Sequence, residues 1–209
     1  NQKAYFDGTL SNIGLPNGVL LVTGDAMEAI GPNSSGGITS GPGTGSDPDL
    51  QAIAGMPIND AAILEFDFVP LGDSISFRYV FASDEYNEYA CSNFNDAFGF
   101  FISGPGFSGP YTGGAENIAL IPGTTTPVAI NTINLGVAGS FGTAANCDAA
   151  NPTWTTDNVY FVDNSTMGTG TVEFDGFTVA LEARAAVQCG QTYHIKLAVG
   201  DASDNAYDS

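Results

Sequence analysis

The chain has 209 residues, 43% of them hydrophobic, which is enough for one large domain with its own core and is not the composition of a disordered chain. Its charge is lopsided: 23 Asp and Glu stand against four Lys and Arg, for a net charge of −19 and a pI near 4.1. Phosphates and anionic lipid surfaces are held through Lys and Arg, so this balance argues against nucleic acid and membrane-surface partners and points towards cations.

Helical periodicity is nearly absent, and strand signals dominate from one end to the other. Val19 to Thr23 is an apolar run closed by Gly24, and Ala26 to Ile30 is the best short helical candidate before Gly31-Pro32. Ala62 to Val69 alternates, with Leu64, Phe66 and Phe68 on one face. Ser74 to Phe81 alternates again, and Pro70-Leu71-Gly72-Asp73 between the two runs predicts a hairpin. Phe98 to Ile102 reads as a buried strand. Ile118–Ile121 and Val128–Ile133 flank the turn Pro122-Gly123-Thr124. Tyr160–Val162, Phe177–Ala183 and Thr192–Val199 complete the strands, the last with His194, Lys196 and Ala198 on the face opposite Tyr193, Ile195, Leu197 and Val199. Roughly nine to eleven short strands joined by turn chemistry predict an all-β, antiparallel sandwich of jelly-roll type. Gly31–Pro48 and Val137–Thr156 read as long loops, and no linker or repeat divides residues 1–209.

One stretch concentrates chemistry. FASDEYNEYACSNFNDAFGFF, from Phe81 to Phe101, places Asp84, Glu85, Glu88 and Asp96 close together with no Lys or Arg between them. A solvated loop, a carboxylate pair for glycoside hydrolysis and a cation cage all fit such a run. Glu85 and Glu88 within one loop do not define a separation across a cleft, and Trp154 is the only tryptophan for a sugar platform. The single histidine, His194, lies mid-strand, and no GxSxG or phosphate loop is present. Calcium takes six to eight oxygens, which carboxylates, amides and carbonyls supply. The chain end, GDASDNAYDS, repeats the acidic theme with Asp201, Asp204 and Asp208. Two such loops can meet at one ion. The candidate ligands for Ca2+ are therefore Glu85, Glu88, Asn95, Asp96, Asp201 and Asp208.

Three cysteines allow one disulfide and one leftover thiol. Cys91 with Cys147 is favoured because both lie in loops that gain from a staple, although Cys189 can replace either. Asn164-Ser165-Thr166 is a formal N-glycosylation sequon, meaningful in a host that makes N-glycans. No stretch reaches the roughly 18 apolar residues of a membrane helix, so direct membrane insertion is not expected. The start at Asn1, without Met, indicates a processed chain or a fragment.

Several long motifs in order carry a family resemblance. DPDL (Asp47–Leu50), AAILEFDFVP (Ala61–Pro70), FRYVFASDEYNEYACSNFNDAFGFFISGPG (Phe77–Gly106), NIALIPGTTTPVAINTIN (Asn117–Asn134), DGFTVALEA (Asp175–Ala183) and CGQTYHIKLAVGDASDNAYDS (Cys189–Ser209) together resemble the choice-of-anchor L domain. The resemblance implies a secreted or cell-surface module of bacteria, notably Bacteroidota, with an adhesive or structural role and no known enzymatic activity. It implies other cell-surface proteins, glycans or self-association as partners. Members of the family usually carry a further strand segment before the position of Asn1 and an apolar strand after Ser209. A domain trimmed at both ends is therefore expected, or a filament subunit completed by a donated strand. A calcium-dependent carbohydrate-binding module is the other expectation this fold class allows.

Overall fold

The computed structural model describes residues 1–209. Its strands are β1 (Lys3–Asp7), β2 (Asn17–Leu21), β3 (Ile58–Phe68), β4 (Ser74–Tyr79), β5 (Ala82–Ser83), β6 (Ala97–Ser103), β7 (Glu116–Asn117), β8 (Phe161–Asp163), β9 (Gly176–Thr178), β10 (Leu181–Ala186) and β11 (Tyr193–Ala202). Two short helices accompany them, α1 (Pro48–Ala54) and α2 (Ala144–Ala150). Every strand pairing is antiparallel, and the class is all-β.

The organising element is the sheet β3-β11-β6-β7. β11 is its spine, pairing with β3 from Tyr193↔Phe68 to Ala202↔Ile58 and with β6 from His194↔Ser103 to Gly200↔Ala97. One face, with Phe98, Phe100 and Val199, packs against Tyr79, Leu181 and Ala183 of the β4-β10 pair. Tyr79 meets Phe98 and Phe100 with ring centroids 4.9 and 5.2 Å apart. The opposite face, with Ala97, Phe101 and Ala198, is covered by Leu50 of α1. Both faces are thus apolar, which is why β6 reads as a continuous hydrophobic run.

Several sequence expectations need correction. Pro70–Asp73 does not close a hairpin: β3 pairs with β11, whereas β4 crosses to the other layer and pairs with β10. The aromatic face of β4 finds its partners across the core rather than beside β3. The run Phe177–Ala183 splits in two, with β9 between β5 and β8 and β10 beside β4. Ile118–Ile121 and Val128–Ile133 supply buried pegs, including Ile121, Val128, Ile130 and Ile133, but form no strand pair, being joined by the isolated bridge Leu120↔Pro127 and by the Val128 amide donating to the Ala119 carbonyl. Ala26–Ala29 is a turn.

α1 lies outside the all-strand pattern of the sequence, yet its signals are local. Asp47 caps it by accepting from the Asp49 and Leu50 amides, Pro48 opens it, and Gly55 closes it at φ 71°. Within the expected loop Val137–Thr156 lies α2, whose Cys147 forms a disulfide with Cys91. Trp154 packs against that bridge and is 4% exposed, so it offers no sugar platform. Cys189 is a free, exposed thiol.

Candidate functional site

Three distant segments meet beyond the end of β5. Ser83 turns the chain there, its hydroxyl accepting from the Glu85 amide at 2.9 Å. The Asp84 amide donates to the Asp208 carbonyl at 3.0 Å, so the chain end runs alongside. On its other side Ser209 is held to Thr23 by bonds through both main-chain groups. The loop beginning at Gly31 closes the arrangement: the Ser40 amide and hydroxyl donate to the Asp208 carboxylate, and the Ile38 amide donates to Asp84. Gly24 is required here, because a Cβ at that position would lie 1.8 Å from Asp208 Oδ2.

This stitching buries a seam of acid. Asp84, Glu85, Asp96 and Asp201 are each 1% exposed, and Asp208 is 3% exposed. No Lys, Arg or His forms an ion pair with any of them. Some charge is met by donors: Asp96 accepts from the Ala202 amide and the Ser209 hydroxyl, both at 2.8 Å. Asp84 accepts from the Ile38 and Asp175 amides. Glu85 Oε2 and Asp201 Oδ1 have no hydrogen-bond partner at all. Buried acceptors without donors are costly, and a carboxylate is the costliest kind.

The electrostatics follow. Burial, then the Asp175 charge, pushes Asp84 up to about 8. Glu85 is raised by burial and then by Asp96, Asp204 and Asp84. Burial also raises Asp96, against the opposing pull of the Ala202 and Ser209 donors. Asp201 is raised by burial and by Asp96, and the Thr23 hydroxyl offsets this only in part. Asp208 is raised by burial, with Glu28 and Asp60 adding to it. At the flank, Asp175 is pushed up to about 6 by burial, against the hydrogen bond from Asn33.

The seam adjoins a polar cleft of about 610 Å³ whose lining includes Asn59, Asp60, Asp204 and Asn205 and no hydrophobic residue. Asp60 Oδ2, facing this region, also lacks a partner. Asp60 acts on Asp201, and Asp204 acts on Glu85 and Asp96, so the cleft and the seam share one field.

Of the six expected ligands, the structure gathers Glu85, Asp96, Asp201 and Asp208. Glu88 is exposed and acts on Asp175 rather than on the seam. Asn95 is buried, but its side-chain oxygen already accepts from the Asn131 amide at 2.8 Å. No three His, Cys, Asp or Glu side chains stand drawn together as a metal-ion ligand set. Asp84 and Asp204, which the sequence places in the two acidic clusters but outside the expected ligand set, belong to the same field, and so does Asp60, which the sequence reading does not point to. Asp60 had a usable signal, an acid inside the apolar run IND-AAIL, and the structure gives it a left-handed φ of 46°.

Asn164 is 6% exposed, and its amide nitrogen donates to the Val172 and Phe174 carbonyls, so a glycan there would displace both bonds. His194 lies at the sheet surface, 2.8 Å from Asp67. Tyr86 is fully buried, while Tyr89 stacks on Phe141 and contacts Tyr207. Lys196, on the α1 side of β11, is buried between Asp47 and Asp49, 2.6 Å from each.

No helix is long and apolar enough to cross a membrane. Neither curated proteins nor solved structures yield a match to this sequence. The sequence model of the choice-of-anchor L domain, however, matches residues 1–209, the whole length given, and the protein belongs to that family.

Proposed function

We propose that this domain is an extracellular, non-enzymatic surface module whose acidic seam binds calcium, and that the ion locks the chain end against the β5–β6 connection. Family membership supports the surface-associated setting. The observation that carries the calcium reading is the pair of orphaned, buried oxygens, Glu85 Oε2 and Asp201 Oδ1, in a seam with no cation of its own. Calcium tolerates irregular sets of six to eight oxygens, whereas magnesium demands a near-octahedral set and keeps its waters. The seam has carboxylates and backbone carbonyls from unrelated segments, which suits the first ion. Ligands would be Glu85, Asp96 and Asp201, with Asp208 and the cleft residues Asp60 and Asp204 as neighbours. Binding requires these buried side chains to converge on one point, and the ion would relieve the repulsion among them as they do.

The function that follows is mechanical and adhesive rather than catalytic. A module that is stiff when calcium is abundant and loose when it is not suits the exterior of a cell. The test is thermal unfolding of EDTA-stripped protein at neutral pH, with calcium, magnesium or neither added. Calcium should raise the melting temperature, by about 2.7 kcal/mol of stability at a hundredfold excess over Kd. Magnesium should do much less. An unchanged melt with calcium would overturn the reading.

A further inference from the structure

We infer that Lys196 and Asp47 condense into an intramolecular isopeptide bond, joining β11 to the start of α1, with Asp49 as the acid–base group.

The geometry supplies each part of such a reaction. Lys196 Nζ lies 2.6 Å from Asp47 Oδ2 and 2.6 Å from Asp49 Oδ2. The side chains are 9%, 6% and 6% exposed, so nucleophile, electrophile and relay are nearly dry. The Phe101 ring lies 4.8 Å from Nζ, and Leu50 beside it is fully buried. Asp47 Oδ1 is held by two backbone donors, the Asp49 amide at 2.9 Å and the Leu50 amide at 3.0 Å. Those two N–H groups polarise the carboxyl and face the oxygen on which negative charge develops when nitrogen adds to Cγ. Asp49 is fixed in turn, its Oδ1 accepting from the Thr112 amide and hydroxyl, both at 2.9 Å. Burial acts to raise Asp49, but the hydrogen bonds from Lys196 and Thr112 outweigh it and hold the carboxyl below its usual range. It is therefore ionised, and its Oδ2, 2.6 Å from Nζ, is placed to relay a proton from nitrogen.

The step balances without any oxidant or cofactor. The ammonium proton passes through Asp49 to Asp47 Oδ2, leaving a neutral amine beside a carboxylic acid. The Nζ lone pair adds to Cγ, and the C–N bond forms. Asp49 removes a proton from nitrogen and delivers it to Oδ2 as the Cγ–Oδ2 bond breaks, and Oδ2 leaves as water. Ammonium plus carboxylate becomes amide plus one water. The ion triad buries three charges, and the condensed form buries one, on an Asp49 whose Oδ1 keeps both Thr112 donors and whose Oδ2 gains the new amide N–H. Proximity and dryness supply the drive that a pair of ions in water lacks.

The test is the intact mass of the denatured, disulfide-reduced wild-type chain, followed by protease mapping. We expect a mass one water below that of the sequence, and a branched fragment joining the Asp47 and Lys196 peptides. Lys196→Arg should restore the full mass, and Asp49→Asn should slow or abolish the loss. A full-mass wild-type chain after prolonged incubation at neutral pH overturns the inference, as does a missing water that persists in Lys196→Arg. Because the wild-type chain decides the matter, a variant that folds poorly does not obscure it.

Discussion

One strand, β11, carries a buried charge into each of two acidic regions, and the regions solve the same problem differently. At its middle, Lys196 sits between Asp47 and Asp49, so the chain supplies its own cation. At its end, Asp201 enters a seam with Glu85, Asp96 and Asp208 and meets no cation. Asp47 and Asp49 find every oxygen a donor, whereas Glu85 Oε2 and Asp201 Oδ1 find none. The contrast teaches that burying acid is not itself a defect of this fold. Where the chain means to satisfy a carboxylate from within, it brings amides, a hydroxyl and a lysine. The seam is left short of donors, and that shortage is what the proposed calcium ion would relieve.

The largest effect should come from turning the first region into the second. Lys196→Met leaves Asp47 and Asp49 buried beneath α1 with neither a cation nor a covalent partner, and loss of one partner of a buried pair alone costs about 3–5 kcal/mol. Urea unfolding measures it, and calcium should not restore the loss, because the seam is a separate site. A neutral outcome would mean that these side chains open to water in solution, and the contrast between the regions would collapse.

The second effect concerns pH. Asp84 has its folded pKa pushed from 3.8 to about 8, and Glu85, Asp96, Asp201 and Asp208 are raised as well. A raised carboxyl holds more protons folded than unfolded across that window. Stability therefore falls as pH rises, being fully present below about pH 4 and lost through about pH 8. In EDTA, melting temperature should decline from mildly acidic to mildly alkaline buffer. With saturating calcium the decline should flatten or reverse, since the ion binds the deprotonated form. An EDTA-treated protein that becomes more stable towards pH 8 would contradict the buried, unpartnered state of the seam.

A smaller effect separates charge from shape. Asp201→Asn keeps the outline of the side chain and removes a charge that Asp96 opposes. In EDTA at alkaline pH it should stabilise the fold by about 1–2 kcal/mol, as an amide can donate to the surrounding acceptors. The same variant should lose most of the calcium increment. Stabilisation by calcium equal to that of the wild type would remove Asp201 from the ligand set.

The sequence exposes these two regions unequally. The alternation of β4 and the apolar run of β6 are legible because each strand has an apolar face that must be buried. The partner of β3 is not, because turn residues at Pro70–Asp73 are equally compatible with a hairpin and with a crossing to the second layer. That choice is made by contacts distant in the chain, such as Tyr79 against Phe98. Lys196 reads as an outward residue opposite Ile195 and Leu197, and only the covering helix α1 makes its face an interior. The helix is seven residues long, too short for periodicity, although Asp47, Pro48 and Gly55 punctuate it. In the seam, residue type and proximity along the chain lead to Glu85, Asp96, Asp201 and Asp208. They do not separate Glu88, which is exposed, or Asn95, whose oxygen accepts from the Asn131 amide, because a loop's local spacing does not say which side chains turn inward or are engaged by backbone donors.

Glu88 therefore gives the sharpest small prediction. It sits in the same acidic run as Glu85 and looks equivalent to it in the sequence, yet it is exposed while Glu85 is 1% exposed. If burial, rather than acidity, defines the seam, Glu88→Gln should change stability by no more than about 0.5 kcal/mol and leave the calcium increment intact. Its charge contributes to raising Asp175, so a slight easing of that residue's titration is the one local change expected. A loss of calcium response in Glu88→Gln as large as that in Asp201→Asn would mean that the loop closes over the ion in solution. The boundary of the seam would then lie at the surface of the loop rather than beneath it.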